Sequence, residues 1–155
     1  MKYIFLVLSL TGFTLGTFTS CSDGWLAYEG SCYFFGHDEV HFTEAEHYCR
    51  QRNGHLIHVN SKAENDFIKD RLTDLNHHYW WMGLTDEVTE GKWQWFGTDE
   101  PATFTDWYPG QPNLAVEDCA IFYDAYGYQW GDIPCTRTCI AICEASGSEN
   151  SEIIG

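Results

Sequence analysis

The 155-residue chain predicts an α+β fold. Two amphipathic helical patterns come early, short aromatic-rich strands follow them, and no strand–helix–strand alternation links the two. Seven cysteines behind an apolar leader read as a disulfide framework with one thiol left over.

Met1-Lys2 gives a basic start, Tyr3 to Leu10 an apolar run, and small residues follow at Thr14, Gly16, Thr17 and Ser20. The run is too short for a bilayer, so residues 1–20 read as a secretory signal cleaved between about 16 and 20. Residues 21–145 then form one domain large enough for a real core. The polar stretch 146–155 is expected to be a flexible tail. The product is expected to be secreted and extracellular, with no membrane span.

Cys21 to Phe35 carries aromatic strands and glycine turns, the pattern of a stapled hairpin. Thr43-Glu-Ala-Glu46 fits a capping box, with Thr43 as N-cap and Glu46 reaching back. Phe42, Ala45, Cys49 and Arg52 recur at helical spacing, and Asn53-Gly54 supplies the stop. Leu56 to Val59 reads as a short strand. Ser61-Lys-Ala-Glu64 opens a second helix with Phe67, Ile68, Leu72 and Leu75 on one face. Short aromatic runs at 79–84, 93–96, 119–123, 129–130 and 140–143 predict antiparallel strands. Residues 96–117 fit no regular element, yet they hold Phe104, Trp107 and Tyr108. A long loop rich in aromatics points to function rather than disorder.

A formal charge of −15 repels phosphate backbones and excludes nucleic acid as a partner. With 44% hydrophobic and 17% aromatic residues the chain is no disordered acidic protein. Its carboxylates either attract divalent cations or form a solvated face. No Cys-x-x-Cys pair occurs, which argues against zinc, and no Gly-x-Ser-x-Gly or phosphate-cradling loop is present. His55 and His58, three apart around a strand, are expected on opposite faces. His77-His78 falls in a polar turn. Two close carboxylates could cleave a glycoside, but metal ligation explains them better. No enzyme is expected.

From Cys21 to Glu144 the chain resembles a C-type lectin domain. The resemblance rests on Cys21-x-x-Gly-Trp25, Phe42-Thr-Glu-Ala-Glu46 with Cys49, Gly54-His-Leu56, Glu64-Asn-Asp-Phe67, Trp81-Met-Gly-Leu84 and Gly91-Lys-Trp93. It continues through Trp107, Gln111-Pro-Asn113, Glu117-Asp-Cys119, Trp130-Gly-Asp132, Cys135 and Ile142-Cys-Glu144. It implies two helices packed on antiparallel sheets, a long calcium- and sugar-binding loop, and three disulfides: Cys21–Cys32, Cys49–Cys143 and Cys119–Cys135. Cys139 is then surplus, either a free thiol or a bridge to a second chain in a disulfide-linked dimer. A catalytic cysteine–histidine pair would have to use it, and nothing nearby marks it as activated.

The resemblance also implies one Ca2+ held by Gln111, Asn113, Glu117 and Asp132, around a cis Gln111–Pro112 bond. Calcium prefers six to eight oxygen ligands. Gly131 stands where the family usually places an asparagine ligand, leaving space for water. With two charged ligands the expected dissociation constant is on the order of 10⁻⁴–10⁻³ M, as in extracellular modules. The same side chains would bond sugar hydroxyls, with Tyr126 or Tyr128 offering an aromatic face. Asp86, Glu90 and Asp118, with Glu117, suggest an auxiliary calcium position. Gln-Pro-Asn is a hybrid of mannose-type and galactose-type motifs, so both glycan classes stay open. The implied function is glycan recognition, of the sort used in innate immunity, with assembly adding avidity. The rival reading keeps the fold and binds protein or mineral surfaces without sugar. No Asn-x-Ser/Thr acceptor for N-linked glycans occurs.

Overall fold

The computed structural model describes residues 14–98 and 100–154, with side chains described over 18–98 and 100–148. Most of the leader expected over 1–20 therefore lies outside the described residues. Within them, no helix is long and apolar enough to cross a membrane.

Strand β1 (Thr14–Ser20) precedes a hairpin of β2 (Leu26–Tyr28) and β3 (Ser31–Val40), whose turn puts Glu29 and Gly30 at φ 44° and 89°. This two-residue positive-φ turn suits a twisted hairpin, and glycine is the residue that adopts it without strain. Helix α1 (Phe42–Arg50) follows, then β4 (His55–Leu56) and α2 (Lys62–Leu75). The remaining strands are β5 (Tyr79–Thr85), β6 (Gln94–Trp95), β7 (Cys119–Tyr123), β8 (Trp130–Ile133), β9 (Cys139–Ser146) and β10 (Ser148–Ile154).

Strands β2-β3-β9-β5-β7-β8 line up in one sheet, with β4 on β9 and β6 on β5. Most pairs are antiparallel as the sequence predicts, but β5 and β9 run parallel, Trp80 opposite Ile140 and Trp81 opposite Ala141. The sheet is mixed because the chain makes its long loop and two further strands before β9 returns to the centre. Both faces of these central strands are covered. Trp80, Met82, Ile140 and Ile142 join the cluster over α2, where Ile68 and Leu72 pack. Trp81, Cys139, Ala141 and Cys143 join the cluster over α1, with Phe42, Ala45 and Cys49. Burial on two faces explains their near-continuous apolar runs.

The disulfides are Cys21–Cys32, Cys49–Cys143 and Cys119–Cys135, the set the resemblance implies. Cys49–Cys143 closes a separation of 94 residues between α1 and β9. In the chain-entropy model a loop of that size stabilises by roughly 4–5 kcal/mol.

The first helix begins earlier than its capping pattern predicts. His41 is the N-cap and Glu44 accepts from the His41 N–H at 3.1 Å. Thr43 lies inside the helix, and Glu46 turns into the core to accept from Arg50 Nε and Leu56 N–H. Burying Phe42 sets this start. Half of the second box holds: the Glu64 N–H donates to Ser61 Oγ at 3.1 Å, while the Glu64 carboxylate takes the N–H of Asn60, one residue before the N-cap. The stretch read as a flexible tail forms β10, paired antiparallel with β1 from Thr14↔Ile154 to Ser20↔Ser148. Polar segments carry the same backbone donors and acceptors as apolar ones, and two extended segments can satisfy each other.

Candidate functional site

The loop between β6 and β7 is organised by a relay of backbone bonds. The Trp130 N–H donates to Asp106 O, the Tyr108 N–H to Trp130 O, and the Gln111 N–H to Tyr108 O, at 2.8–2.9 Å. Side chains fasten the loop to α2. The Asp106 carboxylate accepts from Asn65 Nδ2 and Lys69 Nζ at 2.8 Å each and from Gln129 Nε2 at 3.1 Å. Asn65 Oδ1 in turn accepts from the Trp130 indole at 2.9 Å. Burial alone would raise the Asp106 pKa, and the donors from Lys69, Asn65 and Gln129 outweigh it and hold the carboxyl below its usual range. Sequence reading missed Asp106, because its partners lie about 40 residues upstream and no local spacing marks them.

This anchoring sets Gln111, with its cis Gln111–Pro112 bond, opposite β8. Gln111, Asn113, Glu117 and Asp132 all line one cleft of about 330 Å³, with Gly131 and Tyr126 in its wall. The four expected ligands are thus brought together. The Asn113 N–H donates to Asp132 Oδ2 at 3.2 Å, tying loop to strand.

Asp132 is 4% exposed, yet its Oδ1 has no hydrogen-bond partner. Gln111 Oε1 is likewise buried without a partner, although its amide nitrogen donates to the Tyr126 hydroxyl at 3.3 Å. A buried acceptor left without a donor costs about 1–3 kcal/mol. Two carboxylates and two amide carbonyls make an all-oxygen donor set, so the residues present fit a hard cation such as calcium.

The auxiliary position is only partly assembled. Asp86 and Glu90 line a second cleft of about 310 Å³ that shares Asn113 and Asp132 with the first. Asp86 is 3% exposed; its Oδ2 accepts from the Gly91 N–H at 2.8 Å and its Oδ1 has no partner. Asp118 meets Asp86 through its backbone carbonyl. Among the described residues, Asp86, Glu90, Glu117, Asp118 and Asp132 do not include three whose carboxylate oxygens lie within 4.8 Å of one another.

These acids feel one another. Burial raises the pKa of Asp132, with the Asp86 charge adding to it, and burial raises that of Asp86, with Asp118 adding. Glu117 is raised by burial and then by Asp132. Exposed Glu90 is raised by local desolvation and by the charges of Asp86, Asp118 and Asp132. The region is an uncompensated negative field of the sort a divalent ion relieves.

Three expectations need correction. Tyr128 does not face the cleft: it is 6% exposed and its hydroxyl donates to His77 O. The aromatic wall is Tyr126, stacked on Tyr108 at 4.0 Å. At Gly131 a Cβ would meet Tyr126 Cε2 at 3.1 Å and Gln111 Cδ at 3.9 Å, so the glycine lets the Tyr126 ring pack against this wall of the cleft. Cys139 is fully buried on the α1 side of β9, and burial pushes its thiol up to about 12. It therefore offers no sulfur to a second chain. His55 and His58 are not on opposite sides; their rings lie 4.2 Å apart and His58 stacks on Trp95, because β4 ends at Leu56 and the chain turns.

A match to the Lectin C-type domain family covers residues 38–145. The chain is 34% identical over 136 residues to a perlucin-like protein of Mytilus galloprovincialis, covering 86% of each. It is 37% identical over 142 residues to human C-type lectin domain family 10 member A, spanning 86% of this chain and 43% of that longer protein. In structure it is similar to the mouse scavenger receptor C-type lectin carbohydrate-recognition domain, with a TM-score of 0.77 and 30% identity over 83% of this chain and 100% of that one. It is also similar to a Ca2+-dependent type II antifreeze protein, with a TM-score of 0.74 and 28% identity over 81% of this chain and 100% of that one.

Proposed function

The chain belongs to the C-type lectin domain family, a non-enzymatic carbohydrate-binding fold, and from that premise we propose that it is a secreted, calcium-dependent lectin for mannose- or galactose-type glycans. One observation carries the reading: the buried, partnerless oxygens of Gln111 and Asp132 belong to a cleft completed by Asn113 and Glu117. Those four side chains would hold the ion. Calcium bound there would supply coordination positions for two neighbouring hydroxyls of one sugar ring.

The protein's own groups then set orientation. The Gln111 and Asn113 amide nitrogens donate to the hydroxyl oxygens, and the Glu117 and Asp132 carboxylates accept from the hydroxyl protons. Tyr126 gives the ring's apolar side a surface. Two formal charges on the ligand set favour weak calcium binding, on the order of 10⁻⁴–10⁻³ M. Three disulfides suit an oxidising compartment and support secretion.

Retention on immobilised mannose and galactose, with calcium and again with a chelator, tests this. Retention on at least one sugar, abolished by the chelator, is the expected result. Binding to neither would favour the second reading, a surface-binding domain without sugar. Leu114 supports that alternative, being 55% exposed where it lines both clefts, with Val116 nearby in sequence 70% exposed, as does the likeness to an antifreeze protein.

A further inference from the structure

The cleft that holds the four oxygen ligands does not end at them. Its far wall is formed by the turn between β8 and β9, and Arg137 and Thr138 line it. Three tyrosines line the same cleft in contact with one another: Tyr126 packs edge-on to Tyr123 at 4.6 Å, and Tyr123 stacks on Tyr79 at 4.8 Å. Gly131 lets Tyr126 take this place, since a side chain there would press on the ring. The space is thus one trough, lined both by the oxygen ligands and by Arg137.

Arg137 is singled out by what the other cations do. Arg50 pairs with Glu46, Lys62 with Asp66, Lys69 with Asp106 and Arg71 with Asp74. Arg52 lies 3.5 Å over the Tyr48 ring. Among the described residues only Lys92 and Arg137 have neither an acid nor a ring as partner, and only Arg137 of these lines a cleft. The neighbouring acid, Glu39, is engaged elsewhere, accepting from Thr138 Oγ1 at 3.4 Å and lying 3.5 Å from His77. In a chain of net charge −15, an exposed guanidinium without an acidic partner beside a cleft is the exception.

The backbone beneath it is fixed. The Arg137 N–H closes a turn on Pro134 O at 2.9 Å, the Arg137 carbonyl meets His41 Nδ1 at 3.3 Å, and Cys135 is tied to Cys119. The reach is short. Asp132 to Pro134 spans at most about 7 Å of extended chain, and a turn brings Pro134 and Arg137 within about 7 Å. One substituted sugar ring and the arginine side chain bridge that span.

Resting on the lectin reading above, we propose that the trough selects glycans carrying an anionic substituent, a sulfate or a carboxylate, which Arg137 pairs with while the ring's diol sits at the Gln111–Asp132 end. The planar guanidinium donates two parallel hydrogen bonds to such a group.

The test titrates calcium-saturated protein with galactose, mannose, their 6-sulfates and a sialylated lactose, on wild type, Arg137→Gln and Arg137→Lys. At least one anionic probe should bind wild type about ten-fold more tightly than its neutral parent, and that advantage should shrink with added salt. Which probe carries it distinguishes sulfate from carboxylate. R137Q should bring the ratio near one while neutral sugars bind as before, and R137K should retain part of it. Calcium titrated alone should bind R137Q as it binds wild type. Equal affinity of wild type for anionic and neutral probes, a preference that persists in R137Q, or a lost calcium affinity in R137Q each overturns the inference and leaves the lectin reading standing. If no probe binds with calcium, that reading falls and this one falls with it.

Discussion

Two sets of acids lie in this molecule within protein of similar polarity, and they differ in their donors. The inner set is complete. Glu46 accepts from Arg50 Nε at 2.6 Å and the Leu56 N–H at 2.8 Å; Glu64 accepts from the Tyr33 hydroxyl and the Asn60 N–H, both at 2.8 Å. Glu144 accepts from Ser31 Oγ at 2.9 Å and the His58 N–H at 3.1 Å, and Asp106 takes three donors. The cleft set is incomplete: Asp86 and Asp132 are as buried as Glu46 and Glu64, yet each keeps one oxygen without a partner. The inner acids are closed by the fold and serve it. Those at the cleft keep an unpartnered oxygen each, which the proposed calcium would satisfy.

The comparison breaks first if Asp132 proves dispensable for calcium. Asp132→Ala removes a charged ligand from a set holding only two, so calcium affinity should fall at least ~100-fold by calorimetric titration. Asp106→Asn, outside the donor set, should change it far less. Equal affinities for Asp132→Ala and wild type would place the ion elsewhere.

Without calcium the order reverses. Asp106→Asn presents an NH₂ group to Lys69 and Asn65 donors. It should cost about 2 kcal/mol, or roughly 6 °C in melting temperature, a value set below that of a fully buried pair because Asp106 is partly exposed. Asp132→Asn removes an uncompensated buried charge, so the metal-free protein should be unchanged or more stable by up to about 1 kcal/mol. A loss for Asp132→Asn as large as that for Asp106→Asn would erase the distinction between the two sets.

Gly131→Asn sharpens it further by adding an oxygen to the incomplete set. The new Cβ would press on Tyr126, so metal-free stability should fall by about 1 kcal/mol. Calcium affinity should rise several-fold as the extra amide carbonyl joins. A fall in affinity would mean that the Tyr126–Gln111 contact matters more to the site than a fifth ligand.

How far the sequence speaks divides along the same line. Helix α2 and strands β5 and β7 were legible, because periodicity is local; the grouping of Gln111, Asn113, Glu117 and Asp132, which share one cleft, came from the family resemblance. The parallel pairing of β5 with β9 was not, since nothing in either run says which strand will return beside it. The N-cap of α1 was misread because Thr43-x-x-Glu46 satisfies the local rule, while burying Phe42 starts the helix at His41. Asp106 was silent, two of its donors coming from a helix far upstream and the third from Gln129 downstream. Arg137 could have been flagged as a rare cation five residues past Asp132, but that it has no acidic partner is a fact of three dimensions.

The smallest expected effect follows from titrating Asp106. Its folded-state pKa lies below the ordinary value, held there against burial by Lys69, Asn65 and Gln129. Such a group adds stability that is fully present above its unfolded pKa, near 3.9, and lost as pH falls through the lower folded value. The gap in melting temperature between wild type and Asp106→Asn should therefore be flat from about pH 7 to pH 5 and narrow only below about pH 4. Carboxylates with one oxygen left unpartnered behave oppositely: burial raises the values of Asp132 and Asp86, which oppose folding once ionised. A gap that closed already between pH 6 and pH 5 would mean that Asp106 is not held by its three donors in solution, and that the long loop is anchored to α2 by something else.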